Sequence, residues 1–513
     1  MLTKHVGLWP ERAMSQPNPA VPGKLSVLSI LRHAVSPSTV VSGCTQSWDQ
    51  TNMTEAGPES GPTSISSLPP ELLGVIFELA LLSSKRRVQY KVPFEVVLSH
   101  VCSYWRAVAT TTPALWTRID LYTSRSDCAA SYLQRSAQML LDIRVDIYNA
   151  DKLIQIRAVH KRDALIQSIV KTLLPHVHRA RSLFLLSCYE LTALKLLSYV
   201  NNSVAPYLQR LRMNIGHPDN TGHRTAGFKA FGGGLPQLTF LETDLPDCVP
   251  LTLQNLTTLH LHTLTDTLNL SYQSFFEMIT APSSLRNLSI QGSLNASLWP
   301  VIGPAFPMNN LKALRLPDDS LFSAKILIAI SAPNLVSLWL GSSFGSYGHF
   351  FSASAPNKFP TLKYLTIPSY DFSYNSHFSS AFPTVTHLYL PYVNLHFRGD
   401  PRFRTTFISY WRQLDTLVTG LIRQKQTLKF HSDLSHFLPL RRNAGYPIHQ
   451  LLVDDDLRTT LKKELPDVSQ HVKIDVLSLE TYQEPWWIMS HERRMDHAWN
   501  RYIILPTDNM DIG

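Results

Sequence analysis

NLKALRL at 310–316, NLVSLWL at 334–340 and TLKYLTI at 361–367 are three copies of one pattern. Each carries an apolar anchor at its second, fifth and seventh positions. In an extended chain alternate side chains face opposite sides, so Leu314 and Leu316 share a face and Arg315 takes the other. Five further stretches fit with conservative changes: YLQRLRM (207–213), QLTFLET (237–243), NLTTLHL (255–261), SLRNLSI (284–290) and TVTHLYL (384–390). The first anchors are Leu208, Leu238, Leu256, Leu285, Leu311, Leu335, Leu362 and Val385, separated by 30, 18, 29, 26, 24, 27 and 23 residues. Prolines 206, 236, 282, 333, 360 and 383 stand just ahead of several of them. A degenerate earlier unit, His178–Leu186, joins the series.

Most of these spacings fall within or near the 20–29-residue period of leucine-rich repeats, which the pattern resembles. Segments such as Ser271–Thr280 and Ser320–Ile330 have helical length and patterning between strands. The expectation is an α/β chain whose residues 179–395 form an irregular leucine-rich-repeat-like solenoid with a parallel sheet. The irregularity shows after the third anchor, where Leu316 runs into PDDS and Leu340 into GSSF without the usual Asn. A layered α/β arrangement of the same strands is the alternative. The outward column of the array reads Arg212, Glu242, His260, Ser289, Arg315, Trp339, Thr366 and Tyr389, with Tyr364 and His387 beside it. Large aromatics on a sheet face suit a binding surface. The substrate-face candidates are therefore Arg212, Glu242, His260, Arg315, Trp339, Tyr364 and Tyr389. Against this stands the helix-like pattern after Leu395, which could cap the array and cover that face.

Toward the N-terminus the character changes. Residues 1–64 are rich in Ser, Thr, Pro and Gly and read as a disordered tail. LPPELLGVIFELALL (68–82) then predicts a helix, with prolines at its entry and Glu71 in its first turn. Leu72, Ile76, Leu79 and Ala80 make one apolar stripe, and Leu73, Phe77 and Leu81 make a second about 100° away. A short helix apolar on two sides must bury both, one on its own unit and the other on something else. After a basic insert (85–91), Pro93 opens a second helix over FEVVLSHVCSYWRAVATTT, with Val97, Val101, Trp105 and Val108 on one face. Pro113 starts the turn PALW, which leads into the strand-like TRIDLY.

LPPELLGVIF, VCSYWRAVA and TPALWTRIDL together resemble the F-box of the large fungal F-box family. The matching positions are Leu68, Pro69, Glu71, Leu72, Ile76, Phe77, Val101, Cys102, Trp105, Arg106, Leu115 and Trp116. The connection between Phe77 and Val101 is longer and more basic than in the shortest family members. The resemblance implies a three-helix module over residues 65–122 that docks on a Skp-type adaptor and through it on a cullin. The adaptor-binding residues it implies are Leu68, Pro69, Glu71, Leu72, Ile76, Phe77, Val101, Cys102 and Trp105. A helix–strand connector (123–178) and a partly helical, basic capping region (396–513) complete the expected organisation.

Composition narrows the function classes. Of 513 residues 44% are hydrophobic and 17% charged, enough to build sizeable cores. No segment approaches the ~20 apolar residues of a membrane span, and no export signal opens the chain, so an intracellular protein of cytoplasm or nucleus is expected. Five scattered cysteines without a CxxC spacing predict neither a disulfide framework nor a zinc site. The His176/His178 and His260/His262 pairs lack a third ligand at fixed spacing. No phosphate-binding Gly loop, zinc-protease motif or nucleophile elbow occurs, so neither catalysis nor a cofactor is expected. The net charge of +9 concentrates after Leu395, where residues 395–450 hold nine Lys and Arg against three acids. That reads as a solvated face, and nucleic acid is not the expected partner. The expected function is that of a substrate-recognition subunit of a Skp–cullin–F-box ubiquitin ligase binding an unknown protein. A leucine-rich interaction scaffold without ligase role is the alternative, and a basic nucleic-acid-associated protein is a third reading.

Overall fold

A computed structural model describes residues 65–84, 93–122, 126–147, 159–217, 230–245, 253–264, 271–292, 294, 296–300, 304–317, 319–341, 358–367, 379, 381–390, 411–419, 434, 437–453, 455–464 and 468–477. The expected tail (1–64) and basic insert (85–91) lie outside them. The chain divides into two compact units, a helical one closing at Thr110 and a second running from Thr111 onward.

In the helical unit, α1 (Pro70–Ser84) is followed by α2 (Phe94–Ser99) and α3 (Ser103–Thr111). Pro70 opens α1, where its missing N–H costs nothing, and Glu71 faces the positive end of the helix. Leu73, Phe77 and Ala80 point into the unit against Leu98, Trp105, Val108 and Ala109, all buried. The rings of Phe77 and Trp105 lie 5.0 Å apart at 58°. Ala80 thus belongs to the stripe of Leu73 and Phe77, not to that of Leu72. The single helix expected over 94–112 is two helices, because local bonds close both ends of the break. Arg106 Nε donates to Ser99 O at 2.7 Å, and Cys102 Sγ accepts from the Trp105 N–H at 3.4 Å, as an N-cap does. Val97 and Val101 consequently stay half-buried while Trp105 and Val108 are core.

In the second unit fourteen described strands form one sheet, in chain order and parallel at every pairing. They are β1 (Arg118–Tyr122), β2 (Leu141–Asp146), β3 (Ala180–Tyr189), β4 (Arg210–His217), β5 (Phe240–Thr243), β6 (Thr258–Leu264) and β7 (Asn287–Gly292). There follow β8 (Ala313–Arg315), β9 (Ser337–Trp339), β10 (Tyr364–Thr366), β11 (His387–Leu390), β12 (Thr416–Thr419), β13 (Gln450–Val453) and β14 (Lys473–Val476). The sheet therefore extends beyond the 179–395 expected for it. β1 comes from the end of the segment assigned to the helical module and β2 from the connector. The three last strands come from the region expected to cap the array. Its apolar alternation is weaker there, as in QLLV at 450–453, but one core-facing residue per strand, Leu417, Leu451 and Ile474, suffices to continue the pairing.

That core row runs in register through Leu211, Leu241, Leu259, Leu288, Leu314, Leu338, Leu365, Leu388, Leu417 and Leu451, every one buried. Helices cover this face: α4 (Ser126–Arg135), α5 (Val159–Leu173), α6 (Glu190–Tyr199), α7 (Tyr272–Thr280), α8 (Ser320–Ala329) and α9 (Asp455–Glu464). The Ser271 hydroxyl caps α7 and the Asp319 carboxylate caps α8, each accepting a backbone N–H of the first turn. Phe275 and Phe276 of α7 then pack with Trp299, Phe306 and Phe322 at centroid distances of 4.2–6.0 Å.

A polar ladder ties successive units together. The residue just ahead of six of the eight first anchors donates its side chain to a backbone carbonyl of the preceding turn. Asn255 reaches Pro236 O at 2.7 Å, Asn310 reaches Ser283 O and Asn334 reaches Asn309 O, both at 2.8 Å. Ser284, Thr361 and Thr384 do the same to Leu256 O, Leu335 O and Leu362 O at 2.8–3.1 Å. The side-chain ladder absent after the third anchor thus lies before the first. A half-buried cation adds a second tie: Lys358 Nζ donates to Leu327 O at 2.6 Å at the end of α8, where the helix dipole is negative.

Candidate functional site

The helical unit leaves one face of α1 uncovered. Leu72, Val75, Leu79 and Leu82 are 54, 52, 55 and 57% exposed, at spacings of three, four and three that align them along one side. Of the residues singled out from the sequence, Leu72, Pro69, Glu71 and Cys102 are exposed, and Leu68, Ile76 and Val101 are half-buried. Phe77 and Trp105 are fully buried and serve as core, so they cannot themselves touch a partner. Tyr104 ties the entry of α1 to α3, its hydroxyl donating to Leu68 O at 2.5 Å. Val75, Leu79 and Leu82 complete the stripe that began with Leu72. The 72–75–79–82 spacing was readable, but a helix apolar all round does not reveal which side is turned out.

The sheet face opposite the helices brings the sequence-derived column into a single row. Arg212, Glu242, His260, Ser289, Arg315, Trp339, Thr366 and Tyr389 are paired one per strand from β4 to β11. Tyr364 and His387 occupy the row before it, their rings 4.6 Å apart. The row is not uniformly open. Glu242 and His260 are buried, at 4 and 3% exposed, and are removed from the candidate surface, whereas Arg212, Arg315, Trp339, Tyr364 and Tyr389 are half-buried.

Burial of Glu242 follows from its neighbours. Its carboxylate meets Arg212 Nε at 3.1 Å and His262 Nε2 at 3.0 Å, and His262 Nδ1 lies 2.8 Å from Gln291 Oε1. Arg212 also spreads over the Phe240 ring at 4.9 Å, and the His260 ring packs between Phe240 and His262. Burial pushes the Glu242 carboxyl up, but Arg212 and the bond from His262 outweigh it and hold the group well below the usual carboxylate range. A depressed carboxyl contributes stability above its unfolded pKa of about 4.3 and loses it as pH falls toward the folded value. Urea midpoints of the full chain should thus hold steady down to about pH 4.5 and fall below it, with a shallower fall in Glu242→Gln.

Further along, the Arg315 guanidinium lies 3.9 Å over the Trp339 ring. Arg144 and Asp146 of β2 form a buried pair at 2.8 Å. Among the described residues no three His, Cys, Asp or Glu side chains come together to hold a metal ion. No described helix is long and apolar enough to cross a membrane.

No family model and no curated protein matches the chain. Among solved structures, a Bacteroides fragilis protein determined by a structural genomics consortium aligns over 61% of this chain and 69% of its own. Identity is 13% and the TM-score 0.25.

Proposed function

We propose that the chain is the substrate-recognition subunit of a Skp–cullin–F-box ubiquitin ligase. In this reading the helical unit is an F-box that docks on a Skp-type adaptor, and the adaptor links it to a cullin. The sheet unit, taken as an irregular leucine-rich-repeat-like solenoid, holds a protein substrate. The chain bridges two partners and performs no chemistry of its own.

One observation carries the reading: the half-exposed apolar stripe Leu72–Val75–Leu79–Leu82 on α1, within the stretch that resembles the F-box. Fully burying a Leu or Val side chain is worth about 1.5–3 kcal/mol. Covering the exposed halves of four in one contact therefore yields several kcal/mol, enough to drive association of a small unit. The buried pair Phe77 and Trp105 supports it indirectly by fixing which side of α1 faces outward.

Affinity purification of the tagged full chain tests this. Wild type should retrieve the adaptor, and Leu72→Asp with Leu79→Asp should reduce retention by at least ~100-fold, since a carboxylate forced into an apolar contact is costly. Circular dichroism of the double variant should match wild type, because both positions already face solvent. Failure of the wild-type chain to retrieve an adaptor, or equal retention by the folded variant, removes the ligase reading and leaves the leucine-rich scaffold.

A further inference from the structure

The N-terminal rim of the sheet carries a row of cations held at fixed spacing. The residue just before each strand passes a backbone bond to its neighbour. Lys312 N donates to Arg286 O at 2.7 Å, Val336 N to Lys312 O at 2.8 Å, and Lys363 N to Val336 O at 2.9 Å. Arg286, Lys312, Val336 and Lys363 therefore occupy equivalent places ahead of β7, β8, β9 and β10. Adjacent strands lie ~4.8 Å apart, which puts Arg286 one step and Lys363 two steps from Lys312. All three cations are exposed, and none makes an ion pair with a described residue. The acid-balanced stretches end on either side of them. Glu242 neutralises Arg212 toward β5, and Asp415, two rim places beyond Lys363, pairs with His449 at 2.7 Å.

Half-buried rings stand on the strands that follow this rim, one to three residues further along. Tyr364 follows Lys363 and contacts His387, Trp339 lies on β9 beneath Arg315, and Tyr389 lies on β11. Cations on a rigid rail, adjoining a strip of rings, form a surface of two chemistries side by side.

We propose that this patch binds an extended acidic segment of a partner protein, its carboxylates on Arg286, Lys312 and Lys363 and its apolar side chains on the Trp339–Tyr364–Tyr389 strip. The inference rests on the ligase reading only in calling that partner the substrate. The spacing specifies the segment further. Lys312 and Lys363 are separated by two strand steps, ~9.6 Å, which an extended peptide covers in about three residues at ~3.3 Å each. Acidic residues three apart therefore match the rail. Single-stranded nucleic acid fits less well, because three exposed cations neutralise few phosphates.

Fluorescence anisotropy on the full chain tests the proposal with a labelled twelve-residue peptide bearing Glu at every third position and Phe or Leu between. A Gln-for-Glu peptide and a labelled single-stranded oligonucleotide serve as comparisons. The acidic peptide should bind about tenfold tighter than its Gln counterpart and weaken with salt, as exposed charge contacts do. Arg286→Gln, Lys312→Gln and Lys363→Gln combined should remove that tenfold preference at an unchanged melting temperature. The proposal is overturned if the acidic peptide does not bind, if both peptides bind alike, if the triple variant keeps the preference, or if the oligonucleotide binds tighter. The assay contains no adaptor, so its failure and that of adaptor capture are separate results.

Discussion

Glu242→Ala should lower the stability of the sheet unit by about 3–5 kcal/mol, the cost of breaking a buried ion pair by removing one partner. The carboxylate is 4% exposed and sits between Arg212 Nε and His262 Nε2 at 3.1 and 3.0 Å. Truncation leaves the guanidinium, which is 14% exposed, facing an imidazole with nothing to balance it. Removing Arg212 as well should recover part of the loss, because the variant then buries no uncompensated charge. Urea unfolding of wild type, both single variants and the double variant closes this cycle, and the coupling should exceed about 1 kcal/mol. A loss below about 1 kcal/mol for Glu242→Ala would show that water reaches the cluster and that the row remains part of an open surface. This prediction separates two regions of one row. Around β4–β6 Arg212 and His262 close on the buried Glu242 carboxylate, whereas toward β8–β11 Arg315, Trp339 and Tyr389 of the same row stay half-buried.

The sequence reveals the strands far better than it reveals the faces. Eight stretches with leucines at fixed spacing identify eight strands, and the structure pairs the expected outward residues in a single row, because a period-two pattern leaves no freedom in which side chains align. The same pattern cannot report whether an outward residue is open. Glu242 and Trp339 hold equivalent positions, yet one is buried by Arg212 and His262 and the other is half-open, a difference made by side chains on neighbouring strands. β12 (Thr416–Thr419) lies inside the stretch after Leu395 whose pattern reads as helix, and it is a strand because its four residues pair in register with β11 and β13. The polar ladder was in view as Pro followed closely by Asn, Ser or Thr and then Leu, but its role depends on a carbonyl roughly twenty to thirty residues upstream. On α1, 72–75–79–82 and 73–77–80 are both valid helical stripes. Only the position of Trp105 decides which is core.

That decision has a measurable consequence. Phe77→Ala should cost about 3–5 kcal/mol in the helical unit through the cavity left opposite Trp105. A unit of some forty described residues has a small core, so a loss of that size matches or exceeds the stability such a unit commands. Phe77→Ala should therefore abolish hydrogen-exchange protection in α1, α2 and α3 while amides of the core strands β3–β7 remain slow. Leu72→Asp should behave oppositely, keeping protection in all three helices because its side chain is already 54% exposed. Both variants should fail to retain an adaptor, the first because the presenting unit has melted and the second because the contact is spoiled on an intact unit. If Phe77→Ala leaves the helices protected, the Phe77–Trp105 contact is not what holds α1 in place. The outward assignment of Leu72, Val75, Leu79 and Leu82 then loses its structural basis, whatever the adaptor assay reports.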